Sequence, residues 1–220
     1  MDGDRRVGSL MPKTLPKLTL SPRLGATHEM ALRISSQTML YAQISGMAQS
    51  APLEVTATAH PILDGWKVAV IGAKGMTELN AADPNDIKES EYHRCTVIDA
   101  NTVTIDGISS ERFKAYQSGG YLAFRAPADL SGYASGRMDV KARVGGDVLL
   151  TRNTVNGGLF IDSATSSVFV RLAPTTLSAV SLTAKDYVFD IELVTAGGAV
   201  DALCSADSVL SVQPEVTTSV

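Results

Sequence analysis

Tyr187-Val-Phe-Asp-Ile-Glu-Leu193 alternates apolar and polar residues without a break, placing Tyr187, Phe189, Ile191 and Leu193 on one side and Asp190 and Glu192 on the other. A period of two belongs to a strand with one buried face; wound as a helix, the same residues would scatter their apolar groups around the axis. Met138-Asp-Val-Lys-Ala-Arg-Val144 repeats the pattern, with Met138, Val140, Ala142 and Val144 opposed to Asp139, Lys141 and Arg143. Both read as half-buried strands of an antiparallel sheet. Leu159-Phe-Ile161, Ser167-Val-Phe-Val-Arg-Leu172, Ala199-Val-Asp-Ala-Leu203 and Val209-Leu-Ser-Val212 supply further strands, and Ala196-Gly197-Gly198 reads as a hairpin turn. Six or more strands in about ninety residues suit a two-sheet sandwich of immunoglobulin-like size over 126–220. It has no inter-sheet cysteine pair, because Cys204 is the only cysteine there.

Working upstream, 30–125 carries short β signals: Glu54-Val-Thr-Ala-Thr58, Trp66-Lys-Val-Ala-Val-Ile71, Arg94-Cys-Thr-Val-Ile-Asp99 and Thr102-Val-Thr-Ile105. Asp64-Gly65, Gly72, Gly75, Asn101 and Asp106-Gly107 punctuate them with residues that tolerate left-handed turns. Strands of this length and spacing predict a small barrel or sandwich, and the small β-barrel module is the form that the resemblance below implies. Two short helices are expected as interruptions, one capped by Asp83 with Pro84 in its first turn, the other running from Ser110 to Gly119-Gly120.

Residues 1–29 differ from both. Pro12, Pro16 and Pro22 stand among Leu10, Leu15, Leu18 and Leu20 with no sustained period, and proline removes amide donors that a helix or central strand needs. Composition suits an extended N-terminal arm and a loose solvated terminus equally, and the regularly spaced leucines favour the arm. Its leucines are expected to dock on a neighbouring subunit, in a groove or along a sheet edge, with Arg5 and Arg6 as polar anchors. The fold class is therefore all-β, an arm followed by a small barrel and a sandwich, divided 1–29, 30–125 and 126–220.

Charge narrows the function. The net formal charge is −4, and the three segments carry five basic against three acidic, eight against ten, and six against ten side chains. None is basic enough to grip nucleic acid electrostatically, so no nucleic-acid partner is expected. No run approaches the ~18 uninterrupted apolar residues of a membrane span, and Met1-Asp-Gly-Asp-Arg-Arg6 leads into no hydrophobic signal core. A protein made in the cytoplasm is expected. Cys95 and Cys204 form no metal-binding spacing and read as small buried hydrophobes.

Three runs in order carry a resemblance: Asp64-Gly-Trp-Lys-Val-Ala-Val-Ile-Gly-Ala-Lys-Gly-Met-Thr-Glu-Leu-Asn80, Val97-Ile-Asp-Ala-Asn-Thr-Val-Thr-Ile-Asp-Gly107 and Ala115-Tyr-Gln-Ser-Gly-Gly120. Over 55–125 they resemble a small β module of bacteriophage structural proteins, itself similar to the barrel inserted in ubiquitin-activating enzymes. One departure is the polar stretch Ala81–His93, where such modules pass straight into the next strand. The closing stretch from Tyr187 to Thr217 is similar to the last strands of sandwich domains in phage tail-fibre and baseplate proteins, with Ala206-Asp207 where a glycine is usual. The resemblance implies a non-enzymatic virion component of the tail, baseplate or fibre, a homo-oligomer whose partners are other tail proteins. Its alternative is a receptor- or glycan-binding module at the tail tip.

Candidate chemistry is sparse. A nucleophile pair of Cys95 and His93 shares one strand face but lacks an orienting third group. Glu89/Glu91 and Asp190/Glu192 have the i, i+2 spacing that sets two carboxylates about 7 Å apart on a strand, as glycoside hydrolysis needs; a solvated strand face accounts for Asp190 and Glu192. Asp83-Pro-Asn-Asp86 offers oxygen ligands without the EF-hand frame, and Gly72-Ala-Lys-Gly75 lacks the full phosphate-loop pattern. Trp66, Tyr116 and Tyr121 are candidates for stacking on sugars, with core packing as the competing fate. No catalytic residue, cofactor or metal is expected.

Overall fold

A computed structural model describes residues 15–179 and 182–215. In chain order its strands are β1 (Thr19–Leu20), β2 (His28–Arg33), β3 (Ser35–Gln43), β4 (Gly46–Met47), β5 (Leu53–Thr56), β6 (Lys67–Ile71), β7 (His93–Asp99) and β8 (Thr102–Ile105). They continue with β9 (Tyr121–Pro127), β10 (Tyr133–Lys141), β11 (Val148–Asn153), β12 (Leu159–Asp162), β13 (Ser167–Leu172), β14 (Asp186–Thr195), β15 (Val200–Ala202) and β16 (Ser208–Ser211). A 3-10 turn at Glu89–Glu91 and a six-residue helix α1 (Pro174–Ala179) are the helical elements among the described residues, so the protein is all-β.

The chain divides into two compact units, one being Ser35–Pro127 and the other the flanking segments Met1–Ile34 and Ala128–Val220. The central unit holds one seven-stranded sheet in the order β3-β9-β6-β7-β8-β5-β4. Its two end strands are separated by only Ile44-Ser45, so the sheet curls back on itself, yet no ladder joins β3 to β4 and it is not a closed barrel. Leu53, Val55, Val68, Val70, Val103 and Ile105, all fully buried, fill its core with Phe124 and Met76.

The flanking unit contains a six-stranded sheet, β1-β16-β14-β10-β11 with β15 on β14, and a three-stranded one, β12-β13-β2. Both contribute to one core: Met138, Val140, Phe189, Ile191 and Leu193 from the first, Leu159, Val168 and Val170 from the second. This is a sandwich-like arrangement. Tyr187, Phe189, Ile191 and Leu193 are all buried, as their alternation predicts. Met138 and Val140 are buried too, but β10 stops at Lys141 and Val144 is 60% exposed in the turn that follows.

The N-terminal segment departs most from expectation. Leu20, expected to seek a neighbouring subunit, is 2% exposed inside the core of its own unit, and Leu18 packs against the same core. Parallel pairing sets Thr19 beside Val209 and Leu20 beside Leu210. The carbonyls of Pro16, Leu18 and Pro22 accept from the amides of Ser205, Val209 and Gln213 at 3.0, 2.8 and 2.8 Å. Proline lacks only the donor, and on an edge strand one line of donors points to solvent, so the prolines that exclude a central strand permit this one. The extended reading and the edge-pairing mode thus describe 15–24, with its own chain as the partner. Leu15 is half-buried; Arg5, Arg6 and Leu10 lie outside the described residues.

Neither expected helix forms. Asp83 Oδ1 accepts from the Asn85 amide in a turn, and Ser110 uses its hydroxyl to tie Ala48 and Ser50 instead of opening a helix. Side chains that hydrogen-bond the nearby backbone compete with helix for the same residues.

Candidate interaction surfaces

The quoted run from Gly72 to Asn80 and the run from Ala115 to Gly120 meet in the central unit. Asn80 clamps Ala73 by both its backbone groups, Oδ1 accepting from the Ala73 amide at 3.0 Å and Nδ2 donating to its carbonyl at 2.9 Å. Lys74 pairs across to Ser118 and Gln117 through backbone bonds of 2.9 Å. Gly75 has φ +85°, and a Cβ there would lie 2.2 Å from the Ala115 carbonyl oxygen. Gly120, φ +88°, lets its backbone approach Ala73 where a Cβ would stand 2.8 Å from Cα. Tyr116 completes the lock, its hydroxyl lying 3.1 Å from the Ile44 carbonyl and 3.0 Å from that of Gly119. Every one of these residues serves backbone closure.

The catalytic candidates fare differently. Cys95 is fully buried, and burial pushes its thiol up to about 12, which leaves almost no thiolate to act as a nucleophile near neutral pH. Glu91 accepts from the amides of Ala82 and Lys88, which hold its carboxyl below the usual range, while Glu89 is ion-paired with Lys67. Glu192 is held by Arg137 at 2.9 Å. Asp190 faces Asp139 across β10 and β14, and partial burial raises its carboxyl, with Glu192 and Asp139 adding to the shift. Asp139 in turn accepts from Thr151 Oγ1 at 2.6 Å. Among the described residues no group of three or more His, Cys, Asp or Glu side chains is arranged to hold a metal ion. No helix among them is long and apolar enough to cross a membrane.

Of the aromatic candidates, Trp66 is core, 4% exposed, with its indole donating to the Arg125 carbonyl at 2.7 Å. Tyr121 is instead 45% exposed and meets Tyr41 edge-to-face at 6.4 Å between ring centroids. The pair stands on the outer face of β3 and β9, where Gln37 and Arg125 are joined at 3.1 Å. Strand β3 itself is nine residues, Ser-Ser-Gln-Thr-Met-Leu-Tyr-Ala-Gln, an edge with no charge and no proline to discourage pairing.

A second exposed face lies on β12-β13-β2. Phe160 and Phe169 are cross-strand neighbours with ring centroids 6.2 Å apart, 63% and 36% exposed, while Leu159, Ile161, Val168 and Val170 turn inward. Beside them is a shallow hollow of about 290 Å³ floored by Gly157 and Gly158 and edged by Glu29 and Arg171, which are ion-paired at 3.1 Å. Sequence reading assigned both strands but singled out neither phenylalanine. The signal was present, since alternation already sets Phe169 with Arg171, opposite Val168 and Val170.

No family model matches the chain, and no curated protein matches it.

Proposed function

We propose that the protein is a non-enzymatic structural component of a bacteriophage virion, a tail, baseplate or fibre adaptor that works through repeated protein–protein contacts. The central unit is on this reading the small barrel-type module, left open along one seam, and the flanking unit an immunoglobulin-like sandwich. The observation that carries the proposal is the use made of the resembling runs: Gly75, Asn80, Tyr116 and Gly120 are spent on backbone closure, as befits a scaffold whose signature residues preserve shape. The exposed aromatic faces and the uncharged β3 edge fit a protein that meets other proteins. The test is whether the protein co-purifies with intact particles at a fixed copy number relative to the major tail protein. A protein found only in the soluble fraction of infected cells would refute the proposal.

The Tyr41–Tyr121 pair, bordered by Gln37 and Arg125, favours one second reading, a receptor- or glycan-binding module, because aromatic rings with amide and guanidinium neighbours suit sugar faces and hydroxyls. It requires saturable binding of the full chain to host polysaccharide that Tyr41→Ala and Tyr121→Ala abolish.

A further inference from the structure

The outer face of β12-β13-β2 has an order that its register makes explicit. Glu29 lies beside Arg171 in one row, Ala31 beside Phe169 and Phe160 in the next, and Arg33 beside Ser167 and Asp162 in the third. An apolar row thus runs between two charged ones, with Glu29 and Arg33 at opposite ends of the same strand face. We propose that this face docks on the same face of a second copy of the chain, through a two-fold axis that lies across the strands along the phenylalanine row.

Such an axis turns each strand end for end over its own copy. Phe160 and Phe169 then meet Phe160 and Phe169 of the second copy. Glu29 lies over Arg33 of the second copy, and Arg33 over its Glu29, so two new ion pairs form by symmetry. Arg171 lies over the position of Ser167 of the second copy, a side chain buried in its own chain, so the group it meets there is the adjacent Asp162. A two-fold axis along the middle strand would instead lay Arg171 on Arg171 of the second copy. Charge therefore selects one of the two arrangements, which is how electrostatics acts at interfaces. Each outer row carries one charge of each sign, so a partner of one sign would be opposed within either row, and a second copy suits the pattern better.

Three strands at ~4.8 Å spacing and six residues at ~3.3 Å each give about 300 Å² per copy. Stable interfaces bury about 800 Å² per partner, so the isolated dimer is weak and gains strength only where a second, different interface links the pairs, because a two-fold contact closes on itself. The inference names the contact for the homo-oligomer of the proposed function and rests on that reading only for its setting.

Sedimentation equilibrium of the full chain from about 1 to 300 μM tests it. A monomer–dimer equilibrium is expected, weakened at least tenfold by Phe160→Ser with Phe169→Ser, by Glu29→Arg alone, and by Arg33→Glu alone. An equimolar mixture of the last two variants is expected to regain association as a heterodimer, because one carries two positive ends and the other two negative ones. Circular dichroism confirms that each variant is folded. A chain monomeric throughout, a dimer indifferent to these substitutions, or a mixture that stays dissociated would overturn the inference. Those results concern the isolated protein, so they leave particle association to be decided by co-purification.

Discussion

The central unit is made from one unbroken stretch, Ser35–Pro127, and the flanking unit from two stretches that meet across nearly the whole chain, as Thr19 beside Val209 shows. In the first, the farthest-reaching ladder is that of β3 with β9, and the irregular segments are closed by nearby backbone contacts such as Asn80 with Ala73. In the second, the N-terminal segment waits for partners made much later in the chain: β1 for β16, β2 for β13, and Arg23 for its bridge to Gln213. A contiguous unit can form as it is synthesised, whereas a split one must hold open a groove until both ends are present. Each unit also carries one buried thiol, Cys95 in the central core and Cys204 in the flanking one, both raised by burial and so silent to alkylating reagents while their unit is closed. The two cysteines report separately on the two units.

Deleting residues 1–29 is the sharpest way to break this comparison. It removes β1, the buried Leu20 and the first two residues of β2. Loss of Leu20 alone is worth about 2–5 kcal/mol, of the order of a domain's whole stability. The flanking unit is expected to open and Cys204 to react with iodoacetamide, while Cys95 stays protected. A truncated chain with both thiols still protected would mean that the N-terminal segment is a dispensable arm after all.

Gly75→Ala probes the other side. The substitution forces a left-handed residue and sets a Cβ 2.2 Å from the Ala115 carbonyl oxygen and 2.8 Å from the Gln117 amide nitrogen, backbone atoms that cannot swing away as the neighbouring Gln117 side chain can. Strain of this kind costs about 1–3 kcal/mol before the displaced loop is counted. Cys95 is expected to become reactive, at least tenfold faster than in the parent protein, with Cys204 unchanged. Equal acceleration of both thiols would show that the units open together.

What could be read from sequence follows the same division. Alternation located Ser167–Leu172 to the residue and β14 within two, because one buried face leaves a period that no neighbour can disguise. Turn chemistry located Gly72, Gly75 and Gly107, all at positive φ. The N-terminal segment was legible as extended and as edge-pairing, but its partner was not, since nothing in Leu18 or Leu20 says whether the receiving strand lies in the same chain. Strand β3 escaped notice because its pattern, with Ser, Gln and Thr on both faces, has little apolar contrast. The phenylalanine face was hidden for the opposite reason, as Phe160 sits among residues apolar on both sides of its strand. Exposure, not hydrophobicity, distinguishes it, and exposure belongs to the folded chain.

The smallest effect separates packing from charge within the flanking unit. Asp190 stands opposite Asp139 on adjacent strands, and like charges in that position oppose the pairing. Its carboxyl is raised first by burial and then by Glu192 and Asp139, against the lowering influence of Lys141 and Arg137. Because its folded-state pKa lies above the unfolded one, the folded chain binds the proton more tightly; the stability this contributes is present at low pH and is lost as pH rises through the folded pKa. At pH 7 the charge therefore stands at a cost, reduced by the partial exposure of the site to about 0.5 kcal/mol. Asp190→Asn is expected to raise the unfolding free energy of the flanking unit by that amount in urea titrations at pH 7, and to leave it unchanged near pH 3, below the raised pKa of the native carboxyl. A gain of equal size at both pH values would assign the effect to the shape of the amide, and the facing carboxylates would then carry no part of the difference between the two units.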